Sequence, residues 1–267
     1  MLGASKTSYH ALLEQVDQNT SAHSFSVMDE LLQVADALAA NKSLLVTLVD
    51  NGIASQAKTA IAKDVFASQV SQGAVSVLEN AVALRWLSGE DLQIAISDAA
   101  ARCAFAAAEN EGVLDRIEDE IFAFERIVSA NGDLELMLSD PNARSEARST
   151  LIKDLVAQKF HEVSLNLVIR AANSATASLL NSLANLQKLA ADRRNQVLAE
   201  VKTAIAIDAS QEQRLTAALE RIYNRKIRLQ KVVDNRVIGG VSVRVGDELI
   251  DGTIASRLVQ LSKQIAQ

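Results

Sequence analysis

A chain of 267 residues with a net charge of −6, its acids and bases interspersed, offers no broad basic face, so nucleic acid is disfavoured as a partner. Cys103 is the only cysteine, which excludes an intrachain disulfide and fits a reducing compartment. Hydrophobic residues make up 49% of the chain but aromatics only 3%, so Ala, Leu and Val must fill the core, as suits closely approaching helices.

From Ser5, the spacing of Tyr9, Leu12, Leu13 and Val16 predicts a short helix, and polar Asp17–Ser26 reads as a loop. A second helix is expected from Ser26, capped by its hydroxyl with Glu30 close enough to help, and striped by Val27, Leu31, Val34 and Leu38. Asn41-Lys42-Ser43 marks a break before Leu44, Leu45 and Leu48. Helices follow over Ser55–Ser71, Ala74–Trp86 and Leu92–Glu109, and the single proline, Pro141, is what a long helical chain tolerates. The N-terminus lacks the apolar core of a signal peptide, and no apolar run approaches the roughly 18–20 residues that span a bilayer. A soluble chain is therefore expected, reaching a membrane only through a partner.

The helical part repeats itself. Val27–Ala81 laid over Ile117–Ala171 without a gap pairs Asp29-Glu30 with Asp119-Glu120, Ala40-Asn41 with Ala130-Asn131, and Lys63-Asp64 with Lys153-Asp154. Leu44, Leu48 and Asp50 fall on Leu134, Leu138 and Asp140, and roughly a quarter of the positions are identical. Before that window, Tyr9-His10-Ala11-Leu12 lies opposite Cys103-Ala104-Phe105 once a shorter loop is allowed. Amphipathic helices share aliphatics by chance, but chance does not keep breaks and charged pairs in one register. Two helical-bundle copies are expected, over residues 1–98 and 99–195.

After Asn195 the period changes. Val197–Ile207 alternates as a strand, Asp208-Ala-Ser210 can cap a helix reaching Arg221 with Leu215, Ala218, Leu219 and Ile222 inward, and Lys226–Val233 alternates again. Gly239-Gly240 leads into Val241, Val243 and Val245; Gly246-Asp247 can turn, Leu249-Ile250 can return, and Asp251-Gly252-Thr253 can enter a last helix bearing Ile254, Leu258, Leu261 and Ile265. The expected fold is mainly α: two tandem helical bundles followed by a small α/β domain over residues 196–267, ordered β-α-β-β-β-α.

Reactive constellations are scarce. No phosphate-cradling Gly-x-x-x-x-Gly-Lys-Ser/Thr loop occurs, and Gly239-Gly240 lacks the strand–Gly-x-Gly-x-x-Gly–helix context of a dinucleotide site, reading instead as a turn or bulge. His10, His23 and His161 are scattered, with no zinc-ligand spacing, so neither metal nor cofactor is expected. Cys103 sits in an Ala-rich helix and reads as a small buried hydrophobe, and Trp86 reads as core. The pairs Asp29-Glu30 and Asp119-Glu120 fall in first turns of helices, where carboxylates complement the dipole without any acid–base role. Arg221, Arg225, Lys226, Arg228 and Lys231 form a basic run with two readings, a solvated helix end and strand face or a docking patch for an acidic partner.

The stretch Ile238-Gly239-Gly240, Val241-Ser-Val243-Arg-Val245, Gly246-Asp247 and Ile250-Asp251-Gly252-Thr253 resembles the C-terminal signature of the F-type ATP synthase delta subunit family, called the oligomycin-sensitivity-conferring subunit in mitochondria. Thr253 replaces the usual serine. The second copy is similar to that family's six-helix N-terminal domain in its landmarks Cys103-Ala104-Phe105, Asp119-Glu120-Ile121, Ala130-Asn131 and Leu138-Ser-Asp-Pro141, while the extra first copy resembles enlarged actinobacterial forms. The resemblance implies a non-catalytic stator subunit at the cytoplasmic face of the membrane. Its helical domain would receive N-terminal segments of alpha subunits on the alpha/beta head, and its C-terminal domain would grip the membrane-anchored b subunit. It also implies that Gly239, Gly240, Gly246, Asp247, Asp251 and Gly252 shape the fold rather than perform chemistry. A free-standing helical adaptor or chaperone-like module is the competing reading, but it does not account for the ordered signature.

Overall fold

The stripe begun by Leu12 and Val16 is the buried face of α1 (Gly3–Gln18). The computed structural model describes residues 1–140, 143–174, 178–193, 196–223, 226–234, 237, 239–245 and 248–253. These form two compact units, Met1–Arg193 and Arg194–Gln267.

In the first unit, α1 and a 3-10 turn (Thr20–Ala22) are followed by α2 (Phe25–Ala40), α3 (Lys42–Val49), α4 (Ser55–Phe66), α5 (Gln72–Ala83) and α6 (Gly89–Glu111). Then come α7 (Leu114–Ser129), α8 (Gly132–Ser139), α9 (Ser145–Val156), α10 (Glu162–Ala172) and α11 (Leu179–Arg193). The axis is α6. Every residue from Ala99 to Ala108 is buried, so this helix is enclosed on all sides, and its alanines let neighbouring backbones close in. It packs against α1, α2, α3, α5, α7 and α11, and one hydrophobic core runs from Leu12 to Ala190. Gly112, at φ 73°, ends it: its N–H reaches the Ala108 and Glu109 carbonyls from a left-handed backbone that glycine adopts without strain. No single helix among the described residues is long and apolar enough to cross a membrane; α2 and α3 pass only as a pair bent by 103°.

Helix boundaries differ from the sequence reading, and the helix expected to reach Trp86 ends at Ala83, where Leu84 turns extended. Ser24, not Ser26, caps α2: its extended backbone places Oγ to accept from the Ser26 N–H at 3.2 Å, whereas Ser26 is already inside the first turn. The helix expected over Ser55–Ser71 ends at Phe66, because Ser71 is spent as the cap of α5, its Oγ accepting from the Ala74 N–H.

The internal repeat is carried by whole elements. Moved ninety residues along the chain, α3 lands on α8 and α4 on α9 at both ends, while α5 and α6 start where α10 and α11 start. Moved equally, α1 falls within α6. The boundary expected between residues 98 and 99 thus lies inside α6, which closes the first six-helix repeat and opens the second. Side chains repeat too. Glu30 accepts from the Ser71 N–H and Oγ at 2.9 and 2.6 Å, and Glu120 accepts from the His161 N–H and Ser164 Oγ at 2.7 and 2.6 Å. These carboxylates therefore serve the N-termini of α5 and α10, where a negative charge is favoured by the unpaired N–H groups. Contrary to the sequence reading, Asp29-Glu30 and Asp119-Glu120 lie beyond the first turns of their own helices, which start earlier at Phe25 and Leu114. Glu30→Gln and Glu120→Gln should each lower unfolding stability by about 1 kcal/mol in urea titrations, since each weakens a charge-assisted cap. An unchanged midpoint would show the caps to be idle. The repeats also meet through the Arg170–Asp36 ion pair and the Phe25 and His161 rings, 6.1 Å apart.

The second unit contains β1 (Gln196–Thr203), α12 (Ala209–Tyr223), β2 (Lys226–Val233), β3 (Val241–Val245) and β4 (Glu248–Asp251). The sheet order is β2-β1-β3-β4, with β1 and β2 parallel through the α12 crossover and the other pairs antiparallel. Ala199, Val201, Ile227, Val243 and Val245 meet Leu219 of α12 in a separate small core. Asp208 and Gln211 cap α12 reciprocally, the Gln211 N–H donating to Asp208 Oδ1 at 2.8 Å and the Asp208 N–H to Gln211 Oε1 at 3.0 Å. The strand expected to reach Ile207 stops at Thr203, whose Oγ1 donates to the Ile205 carbonyl while Ile205 is exposed. Ala218 and Ile222, expected inward, face out, because the sheet takes the neighbouring stripe of Leu215, Leu219 and Tyr223. The last-helix residues Ile254, Leu258, Leu261 and Ile265 lie outside the described residues, as do Pro141, Arg225, Ile238, Gly246 and Asp247.

Candidate docking surfaces

Among the described residues no group of three or more His, Cys, Asp or Glu is placed to hold a metal ion. Cys103 is buried, and that burial pushes its thiol up to about 12, leaving a negligible thiolate fraction at neutral pH. Trp86 is buried, with its indole N–H donating to the Ala81 carbonyl at 2.7 Å. His23 Nε2 lies 3.0 Å from the Val16 carbonyl, and His161 Nδ1 accepts from the Val163 N–H at the start of α10. Each of these groups is occupied in holding the fold.

The glycine-rich stretch is a backbone junction. Gly239 and Gly240 take φ 63° and 81°, and a Cβ on Gly240 would stand 2.5 Å from the Gly252 carbonyl oxygen and 3.0 Å from Thr253 Cα. The Gly252 N–H donates to the Val241 carbonyl, and the Thr253 N–H to Asp251 Oδ1, each at 2.9 Å. The approach to β3 and the exit from β4 are thereby joined main chain to main chain, with Asp251 opposite Ser242 in the ladder.

Of the basic run, Arg225 and the side chains of Lys226 and Arg228 lie outside the described residues. Lys231 is paired with Glu212 of α12 at 2.9 Å. Arg221 is exposed in the last turn of α12, and Lys226 and Arg228 stand in the edge strand β2. Beside Arg221 lies Ile222, 66% exposed, so the outer face of α12 presents Arg214, Ala218, Arg221 and Ile222 together. Sequence periodicity carries this stripe as clearly as the inward one and does not say which of the two the sheet will cover.

In the helical unit a polar seam binds α1 to α6 and α11. Arg102 donates to both carboxylate oxygens of Asp17, at 2.8 and 2.6 Å, and Arg193 donates to Asp17 at 2.9 Å and to Glu109 at 3.0 Å. Burial works to raise the Asp17 carboxyl, but the two guanidinium groups outweigh it and hold it below the ordinary value. Asp98 accepts from Tyr9 Oη and Asn185 Nδ2 at 2.9 and 3.0 Å; there burial wins and the carboxyl is raised. The sequence gives no sign of this seam, because its members lie as far apart as Asp17 and Arg193.

Exposed aliphatics recur at equivalent repeat positions: Val46 and Leu136 in α3 and α8, Val65 and Leu155 in α4 and α9. Val65 reads in the sequence, with Ile61 and Phe66, as an apolar position of the Ser55–Ser71 helix, yet it is 38% exposed. Val46 and Leu136 lie in helices of eight residues, too few turns to tell inner from outer apolar positions.

Residues 96–265 match the family described as ATP synthase delta (OSCP) subunit. Over 270 residues the chain is 38% identical to the ATP synthase subunit delta of Parafrankia sp. (strain EAN1pec), with 97% of each chain covered. It is 37% identical to the ATP synthase subunit delta of Streptomyces coelicolor, covering 100% of this chain and 98% of that one. A chain of the Toxoplasma gondii mitochondrial ATP synthase hexamer is similar over 62% of this chain and 95% of its own, at 17% identity and a TM-score of 0.34, too loosely to bear on the fold. The family match begins inside α6 and takes in the second repeat and the C-terminal unit, whereas the two bacterial relatives align across the first repeat as well.

Proposed function

The chain belongs to the ATP synthase delta (OSCP) subunit family, and on that premise we propose that it is the stator subunit linking the catalytic head of a proton-translocating F-type ATP synthase to its membrane-anchored b subunit. It is a non-catalytic subunit. In this reading the helical unit holds N-terminal segments of alpha subunits, the C-terminal unit holds b, and the chain sits peripherally at the cytoplasmic face of the membrane. The observation that carries the reading is the full-length alignment with bacterial delta subunits, through both repeats and the Gly239–Thr253 junction.

The architecture is consistent with this role. A stator resists torque through large contacts that dissociate slowly and needs no reaction of its own. Two units with separate cores provide two surfaces that can be occupied independently. The first repeat would lengthen the connection or add contact area.

Purification of the membrane-bound ATPase through a tag on another subunit tests the reading. This chain is expected to co-purify with alpha and b subunits. Membranes from which it is depleted should keep ATP hydrolysis on the head while losing coupled proton pumping. A chain that stays behind during purification, or whose depletion leaves pumping intact, defeats the proposal.

A further inference from the structure

The first repeat is an internal control for the second, because the same elements occur in both and only some positions differ. In α3 and α8 the inward positions agree: Leu44 and Leu134 are partly buried, and Leu48 and Leu138 are wholly buried. The remaining positions do not. Ser43, Leu45, Val46 and Thr47 of α3 stand where α8 has Asp133, Glu135, Leu136 and Met137. Leu45 packs against the core at Gly89, whereas its counterpart Glu135 is a carboxylate. The face of α8 has thus become both more acidic and more apolar, with Leu136 72% and Met137 59% exposed side by side. Packing of the repeat asks for neither change, since α3 fills the same place without them. Contiguous exposed apolar surface marks an interaction site where scattered single residues do not.

Charge narrows the occupant. From Asn131 to Asp140 the chain carries Asp133, Glu135 and Asp140 and no cation. The nearest in sequence are Arg126, in the last turn of α7, and Arg144, at the start of α9, and Arg148 of α9 donates to the Asp140 carbonyl. An anionic bilayer would be repelled, and a second copy of the same face would set carboxylate against carboxylate. A helix whose apolar stripe is flanked by lysine or arginine satisfies both features at once.

We infer that the outer face of α8, formed by Asp133, Glu135, Leu136 and Met137, docks a cationic amphipathic helix of another subunit, a contact that the first repeat does not make through α3. This rests on the reading of the chain as a stator subunit. It adds a division of labour between the repeats: equal folds, different partners.

The test places a photo-reactive residue at position 137 of the full chain within the membrane-bound ATPase, and at position 47 in a separate preparation as control. Position 137 should cross-link to a segment with lysine- or arginine-flanked apolar residues, and position 47 should not reach that segment. Adding Asp133→Lys with Glu135→Lys, or Leu136→Ser alone, should cut the yield about tenfold, as loss of an interface anchor does. These positions are exposed or half-exposed, and unchanged thermal melting of each variant would show that the fold is kept. A silent position 137 in a complex that retains the chain, or a cross-link to lipid, to a second copy or to an acidic segment, overturns this inference and leaves the stator reading standing. Absence of the chain from the purified complex overturns both.

Discussion

Gly240→Ala is expected to destabilise the C-terminal unit by about 3 kcal/mol. Roughly 1 kcal/mol comes from holding a side chain in the left-handed backbone at φ 81°. About 2 kcal/mol more comes from the new Cβ, which would sit 2.5 Å from the Gly252 carbonyl oxygen; main chain, not a flexible side-chain tip, must move. A unit of this size is stable by only on the order of 5 kcal/mol, so most of its margin would go. In a urea titration of the full chain the transition of the C-terminal unit should move to much lower concentration while that of the helical unit stays in place. Gly112→Ala supplies the control, because φ is 73° there and nothing lies within 4 Å of the added carbon. It should cost about 1 kcal/mol, the strain alone. If the two variants shifted their transitions equally, crowding at the junction would be a mistaken account.

The second large effect belongs to the seam. Asp17→Asn would leave the Arg102 guanidinium, 7% exposed, without its bidentate anion. Removing one partner of a buried pair costs about 3 kcal/mol, which in a unit of this size lowers the melting temperature by roughly 8 °C. Arg102→Met should cost a similar amount. The double variant should cost clearly less than the two together, because they remove the same contact. The effect must depend on pH in a definite direction. The Asp17 carboxyl is held below its ordinary 3.8, so its stabilisation is complete above that value and is lost as pH falls through the depressed one. The gap between wild type and Asp17→Asn should therefore be full at pH 7 and close below about pH 4. Asp98 runs the other way: raised by burial, its contribution is complete below 3.8 and is lost as pH rises through its raised value. A gap for Asp17→Asn that widened in acid would contradict the arrangement of charges.

Much of this was legible in the order of residues, for identifiable reasons. The ninety-residue repeat showed because breaks such as Asn41 and Asn131, and inward leucines such as Leu48 and Leu138, are fixed by local chemistry and helical period. The β-α-β-β-β order showed because alternation at Val241, Val243 and Val245 has a period no helix shares. Caps were harder. Ser24 and Ser26 both have the chemistry to cap, and only the backbone conformation at Ser24 makes it the one that does. Ile222 was placed inward because α12 has two apolar stripes and the sheet covers one.

Glu30, Asp17 and the α8 face mark the other side of that division. Spacing along a chain reports neighbours within a turn or a strand, so it carries the elements and their order. It says nothing about which helix ends meet, and so it could not bring Glu30 to Ser71, or Asp17 to Arg102 and Arg193. Those pairings exist only once α6 lies enclosed among its neighbours, because packing sets distances that sequence separation does not. The same packing leaves Leu136 and Met137 in solvent while burying Leu138 beside them, and that exposure turns an unremarked eight-residue helix into a surface with a partner to find.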